Sequence, residues 1–328
     1  AENGIALGEH AVLDVSGRVM NFAGDTVVSD AGGISLVTTH GDIASHQDAV
    51  IDVSAPAVTA ASGSLTLSAA NGAVDLQSAP VVNRFAQSTG GSVTVDVAQA
   101  DNVQALLPTL SGFHESQSWR ARNGDITLTQ DSNVQANSIE FSSDSGSLTV
   151  NGKLDASGVK GGAIGLYAGN DVQLGSTALL DASATGNDST GNNAEGGKVV
   201  LSAREGFVTL ADGSAIDVSG SGSGRGGSVQ FQTARNANND DVNFSDAGVD
   251  ITGADRIVVA GFQRYDTAVV DQALVDGVVK TDTASFMAAI AEKLDDLAGR
   301  FSNLVSNNSD VFEVAPGVEF FRPEETGL

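Results

Sequence analysis

Five aspartates stand at the same place in a recurring motif, two apolar-leaning positions followed by Asp and a small residue: Asp14 in AVLDVSG, Asp52 in AVIDVSA, Asp155 in GKLDASG, Asp181 in ALLDASA and Asp217 in SAIDVSG. Repeated carboxylates of this kind could stack into an acidic ladder that takes Ca2+, a hard cation that gathers several oxygen ligands. They could equally cap turns, because an Asp side chain accepts a hydrogen bond from the backbone two residues on. The motif lacks the dense carboxylate spacing of a calcium loop, and the calcium-binding nonapeptide repeat is absent, so turn capping is the reading adopted. A loop rich in acceptors, Asn236, Asn238, Asn239, Asp240 and Asp241, holds the remaining Ca2+ candidates, Asp240 and Asp241. His40 and His46 flank Asp42 without a third imidazole nearby, short of a zinc-type ligand set.

The densest basic and aromatic group is His114, Glu115, Trp119, Arg120 and Arg122. An indole beside arginines suits stacking on a sugar, which makes His114, Trp119, Arg120 and Arg122 the expected glycan or partner surface. The same residues are the starting point for a rival reading, a carbohydrate-active enzyme, which would need carboxylates clustered beside a base or an arginine. No nucleophile elbow, phosphate-binding loop or dinucleotide fingerprint occurs, and no catalysis is expected. No cofactor is required by the sequence beyond the Ca2+ question.

These residues must be positioned by short strands. Segments opening with glycine alternate afterwards, with Leu65 and Leu67, Val93 and Val95, Leu148 and Val150, Ile164 and Leu166, Val199 and Leu201, Val229 and Phe231 two apart. Period two places them on one face and Ser, Thr and Lys on the other. A second short strand follows (Val74–Leu76, Val172–Leu174, Val208–Leu210), and the aspartate motif is the third. Between Gly161 and Gly226 two such units measure 35 and 30 residues from double glycine to double glycine. Three strands per unit with no helix between them predict an all-β right-handed parallel β-helix, a solenoid in which like stacks on like. Asn71-Gly72 and Asn123-Gly124 leave room for some hairpin content.

The expected organisation is a β-helix over 1–265 with an irregular insertion at about 77–122. A helix-containing insertion over 266–310 and a resumed strand over 311–328 follow. Val103, Leu106, Leu107 and Leu110 predict a short helix or packed loop in the first insertion. In the second, Phe286, Ile290, Leu294, Leu297, Phe301 and Leu304 predict an amphipathic helix docked on the solenoid, with Asp282 or Thr283 as its N-cap.

Composition narrows the function. Charged residues are 17% and aromatics 5%, while Gly numbers 39 in 328 residues, a bias toward strands and tight turns. The net charge of −25 argues against nucleic acid and anionic membrane as partners. No apolar run approaches the about 18 residues a membrane helix needs. Cysteine is absent, which suits a chain exported unfolded through an oxidising compartment. The chain reads as a mature or processed piece of something longer.

Beyond the repeats, GFHESQSWRARNGDITL at Gly112–Leu128, ARNANNDDVNF at Ala234–Phe244, ITGADRIVVAGFQRYD at Ile251–Asp266, FMAAI at Phe286–Ile290 and APGVEFF at Ala315–Phe321 occur in order along the chain. Together with the repeated DVSG and DASG motifs they resemble the filamentous haemagglutinin-like exoproteins of the two-partner secretion type. That resemblance implies a right-handed parallel β-helix, export through an outer-membrane pore partner, and a secreted or cell-surface place on a Gram-negative bacterium. The implied role is adhesion to a host or environmental surface or glycan, or self-association with other copies or neighbouring coils of a longer chain. It carries no catalytic residues. The amino-terminal secretion module of that family is not visible in this sequence.

Overall fold

The structure, a computed structural model, describes residues 1–57, 59–82, 90–187, 191, 193–267, 269–293 and 311–321. It is an all-β arrangement dominated by one parallel sheet of ten strands, from Gly33–Thr38 at one edge to Phe312–Phe321 at the other. Two five-stranded parallel stacks accompany it. One runs from Ile126–Leu128 to Phe244–Asp246, the other from Asn133–Gln135 to Asp250–Thr252. In the N-terminal part the corresponding short strands form a three-stranded group (Ile5–Leu7, Ile43–Ser45, Val74–Leu76) and a pair (Val12–Asp14, Val50–Asp52). The chain visits these sheets in fixed order. Ser138–Ser143 in the long sheet leads to Leu148–Val150 in the second stack and Lys153–Asp155 in the third, then back to Ala163–Ala168 in the long sheet.

Alternation explains the core. On the long sheet the row Leu36, Leu67, Val95, Trp119, Phe141, Leu166, Leu201, Phe231 and Val259 lies in register from strand to strand. All but Leu36 are fully buried. Leu154, Leu180 and Ile216 do the same in the third stack. Burial of each such side chain contributes about 1.5–3 kcal/mol. Glycine marks the corners because adjacent layers touch there through backbone. A Cβ on Gly63 would lie 1.8 Å from the Gly32 carbonyl oxygen, and one on Gly196 would lie 1.8 Å from that of Val218.

Two helices interrupt the strand pattern. The first, α1 (Ala100–Leu106), occurs in the chain where a second-stack strand would otherwise come, and packs against Val74–Leu76 and Ile126–Leu128. Asn102 extends the strand ladder with its side chain: its Oδ1 accepts from the Val74 N–H and its Nδ2 donates to the Val74 carbonyl, both at 2.7 Å. Val103, Leu106 and Leu110 are buried as the sequence suggested. Yet two strands of the long sheet interrupt the segment 77–122 expected to be irregular: Ser92–Gln99, whose alternating Val93 and Val95 mark it as a strand, and Ser116–Asn123, which ends one residue beyond it. The second is recognisable as a strand once Gln117, Trp119 and Ala121 are seen to point inward.

The second helix winds first as a π-helix, Leu274–Val279, and continues as α2, Lys280–Glu292. Phe286 and Ile290 are buried against the sheets. Asp282 and Thr283 do not cap it, because the chain is already helical at Leu274. The expected apolar positions Leu294, Leu297, Phe301 and Leu304 lie outside the described residues. The Asn71-Gly72 and Asn123-Gly124 steps are corners between sheets rather than hairpins. Among the described residues the antiparallel strand pair is Val19–Phe22 with Asp25–Val28, joined across Ala23 and Gly24 at φ +49° and +101°. No helix among the described residues is long and apolar enough to cross a membrane.

Candidate functional site

The five aspartates sit at strand ends and each caps the turn that follows. Oδ1 accepts from the backbone N–H of Ser16 at Asp14 (2.8 Å), Ser54 at Asp52 (2.9 Å), Ser157 at Asp155 (3.1 Å), Ser183 at Asp181 (3.1 Å) and Ser219 at Asp217 (2.8 Å). Ser157 and Ser183 add their hydroxyls at 2.6 and 2.7 Å. Asp155, Asp181 and Asp217 are register neighbours in consecutive strands, as are Asp14 and Asp52. Lys153 Nζ sits 2.8 Å from Asp155 and 4.0 Å from Asp181, a cation shared between two layers. Burial pushes the Asp155 carboxyl up, but hydrogen bonds from Lys153 and Ser157 outweigh it and hold the group below the ordinary carboxylate value. Hydrogen-bonded in this way, the five carboxylates fix the turns that follow their strands.

The group around Trp119 is divided by the sheet. Trp119 faces the core, fully buried, stacked on Phe141 of the next strand at 6.1 Å between ring centroids and 5° between planes. Its Nε1–H donates to Gln117 Oε1 at 3.3 Å, so the indole is satisfied internally and offers no face to a sugar. Arg120 and Arg122 point outward, as period two requires. Arg120 Nη2 donates to Asp144 at 2.7 Å with its Nε against the same carboxylate, and Arg122 grips Asp96 at 2.8 Å. These hydrogen bonds raise both guanidinium pKa values and keep the groups charged. His114 Nδ1 contacts the Gln135 carbonyl at 3.1 Å, and Glu115 accepts from Asn137 at 2.9 Å. The expected surface is therefore a set of separate pairs, with its aromatic member removed to the interior.

The acceptor loop closes on itself. Asn236 Nδ2 donates to Asp240 Oδ1 at 2.6 Å, Lys293 Nζ lies 3.0 Å from Asp240 Oδ2, and Asp241 Oδ1 accepts from the Val242 N–H at 2.7 Å. The Asn236 bond, reinforced by Lys293, holds the Asp240 carboxyl below its ordinary value. Asp42 accepts from the Ala73 N–H at 2.8 Å, while His46 lies between Glu9 (3.5 Å) and Asp48 (3.7 Å). Among the described residues, His, Cys, Asp and Glu side chains form no group of three that could hold a metal ion.

Two arrangements escaped the sequence reading. The first is Arg235, 6% exposed, where the second helix meets the sheets. It donates to the Gly261 carbonyl (2.9 Å), Asn239 Oδ1 (3.0 Å) and the Gly317 carbonyl (3.1 Å), with its guanidinium 4.2 Å from the centroid of the Phe286 ring. Burial lowers its pKa from the ordinary arginine value. Beside it the Tyr265 hydroxyl donates to Asp282 at 2.7 Å. Burial and then that carboxylate push the phenol up to about 12. These contacts tie four chain segments together.

The second is a groove of about 270 Å3 on the outer face of the long sheet, lined by Ser142, Asp144, Tyr167, Ser202, Arg204, Gln232 and Glu319 among others. Its signal lay in GGAIGLY, where an aromatic follows a glycine at the outward period-two position.

Comparison with known proteins gives no further guide: no family model, no curated protein and no solved structure matches the chain.

Proposed function

We propose that the chain is a right-handed parallel β-helix that serves as a secreted, surface-associated structural protein, an adhesin or filament segment. The observation that carries this reading is the fixed order in which the chain revisits three stacks of in-register parallel strands, ten deep in the long sheet. Ten strands at about 4.8 Å make a stiff body of roughly 45 Å whose rigidity comes from backbone ladders. Its chemistry is interfacial. The outward arginines of the best candidate cluster are paired to Asp96 and Asp144 rather than gathered around a reacting centre. That favours binding over the alternative, a carbohydrate-active enzyme. Export through an outer-membrane pore partner and a Gram-negative cell surface rest on the family resemblance of the motifs.

The first layer supports self-association. Ile5, Leu7, Leu13, Val15, Ile34 and Leu36 are only half buried, and a parallel strand edge beneath them invites another layer, from a second copy or from neighbouring coils. Light scattering tests this: wild type should grow in mass with concentration, and Leu36→Lys should abolish the growth. Beads coated with the chain should be retained on glycan- or protein-coated surfaces above albumin-coated beads. Absence of excess retention, or release of sugar products from polysaccharides by the purified chain, would overturn the structural-adhesive reading.

A further inference from the structure

We propose that the outer face of the long sheet around Tyr167 is a binding groove for an extended, uncharged glycan, an assignment that rests on the adhesive reading and gives it a ligand class. Tyr167 lies at an outward position of Ala163–Ala168, two residues after Gly165. A Cβ on Gly165 would stand 2.6 Å from Tyr167 Cε2 and 3.0 Å from its hydroxyl oxygen. The Cε2–Oη edge of the ring therefore folds back along its own strand into space that only glycine leaves free, and the ring is held against the sheet. Even so, 37% of the residue stays exposed to solvent. A flat, open aromatic face on a rigid support is what the C–H face of a pyranose ring stacks on.

Polar groups continue the row. Ser142, Tyr167, Ser202 and Gln232 are register partners on four consecutive strands. Among the described residues none of their side chains has a hydrogen-bond partner. They stand one strand spacing apart, about 4.8 Å, close to the length of one sugar in an extended chain. A hydroxyl or amide at each step thus meets successive sugars, while the ring holds one of them.

Two ion pairs line the groove, and Glu140 beside Tyr167 adds a negative charge. Asp144 is engaged by Arg120, and Arg204 lies 3.9 Å from Glu319. With a net charge of −25 on the whole chain, a polyanion is repelled and a neutral ligand is not. A peptide adding as a strand is disfavoured, because these are interior strands whose backbone groups are used on both sides. Recognition falls to the side chains.

The test is isothermal titration of the full chain with cellohexaose, laminarihexaose and mannohexaose, with hexagalacturonate as the acidic comparison. Saturable binding of at least one neutral probe is expected, without binding of the acidic one. Tyr167→Ala and Gly165→Val, the latter forcing the ring off the sheet, should each weaken it about tenfold or more. Tyr167→Phe keeps the platform and should weaken it by less than about threefold. Circular-dichroism melts confirm that the variants fold. No saturable binding of any neutral probe, tightest binding of hexagalacturonate, or unchanged affinity in Tyr167→Ala and Gly165→Val would overturn the assignment. If wild-type beads are retained while the neutral probes fail, the groove alone is wrong; if retention fails too, the reading beneath it goes with it.

Discussion

The two ends of the stack are built differently. At the N-terminal end Ile34 and Leu36 are half buried, whereas their partners one strand further in, Leu65 and Leu67, are completely buried. Nothing among the described residues covers that first layer, and the hairpin beside it exposes Val19 at 50% and Phe22 at 60%. Toward the C-terminal end a helix lies over the core. Phe286 is 0% and Ile290 3% exposed, and Arg235 is held beneath the Phe286 ring. The same strand repeat is therefore finished by dedicated side chains at one end and left open at the other. The long sheet nevertheless ends there on Phe312–Phe321, which pairs on one side only among the described residues, so the helix hinders stacking over the core and not along that edge.

Removing the seal should have the largest effect. Phe286→Ala deletes a fully buried ring that touches Arg235 and Gly261. A loss of about 3–5 kcal/mol is expected in denaturant unfolding. Proteolysis should then begin around the second helix while the middle strands resist. Uniform loss of protection along the whole chain would show that the helix belongs to the common core and is not a separable seal.

The open end is sharpened by a pair of truncations in one register row. Leu67→Ala should cost about 2–5 kcal/mol, as for a buried leucine, and Leu36→Ala less, about 1–2 kcal/mol, because it is only partly buried. If a second copy covers the first layer, the Leu36→Ala penalty should rise with protein concentration while the Leu67→Ala penalty does not. Equal penalties at high dilution would mean that the first layer is covered within the chain.

Much of the architecture is legible in sequence because period two and corner glycines are local signals. Leu148, Val150, Ile164 and Leu166 announce their strands, and the aspartate turns announce the corners. What escapes is set by packing between distant segments. Trp119 in a polar, arginine-rich run looks like a surface aromatic, yet strict alternation with Arg120 and Arg122 assigns it to the interior, where Phe141 receives it. Asp282 resembles a helix cap, but its carboxylate serves Tyr265 across the interface. Arg235 carries no local mark of its role, since its acceptors on Gly261 and Gly317 lie far along the chain. The Tyr167 groove is intermediate: the Gly165-Tyr167 spacing is readable, but the row it completes requires the register of four strands.

The smallest effect concerns how the seal responds to alkali. The Tyr265 phenol has a folded pKa raised from 10.0 to about 12, by burial first and then by the Asp282 carboxylate it donates to. A group raised on folding contributes stability that is fully present below its unfolded pKa and disappears as pH climbs through the folded value. Between about pH 10 and 12 the phenol ionises in the unfolded chain while the folded protein still holds its proton, because ionising there would break the hydrogen bond and set two like charges against each other across the helix contact. The melting temperature should fall over that window, and in Tyr265→Phe this part of the fall should vanish at a cost of about 0.5–1.5 kcal/mol at neutral pH. Tyr167, whose pKa is also raised, provides the control: it lies on the sheet's outer face, away from the helix. Tyr167→Phe should leave helix detachment, followed by proteolysis, unchanged across the same pH range. If both tyrosine variants flatten the alkaline transition equally, the seal is not what alkali opens, and the contrast between the two ends loses its chemical basis.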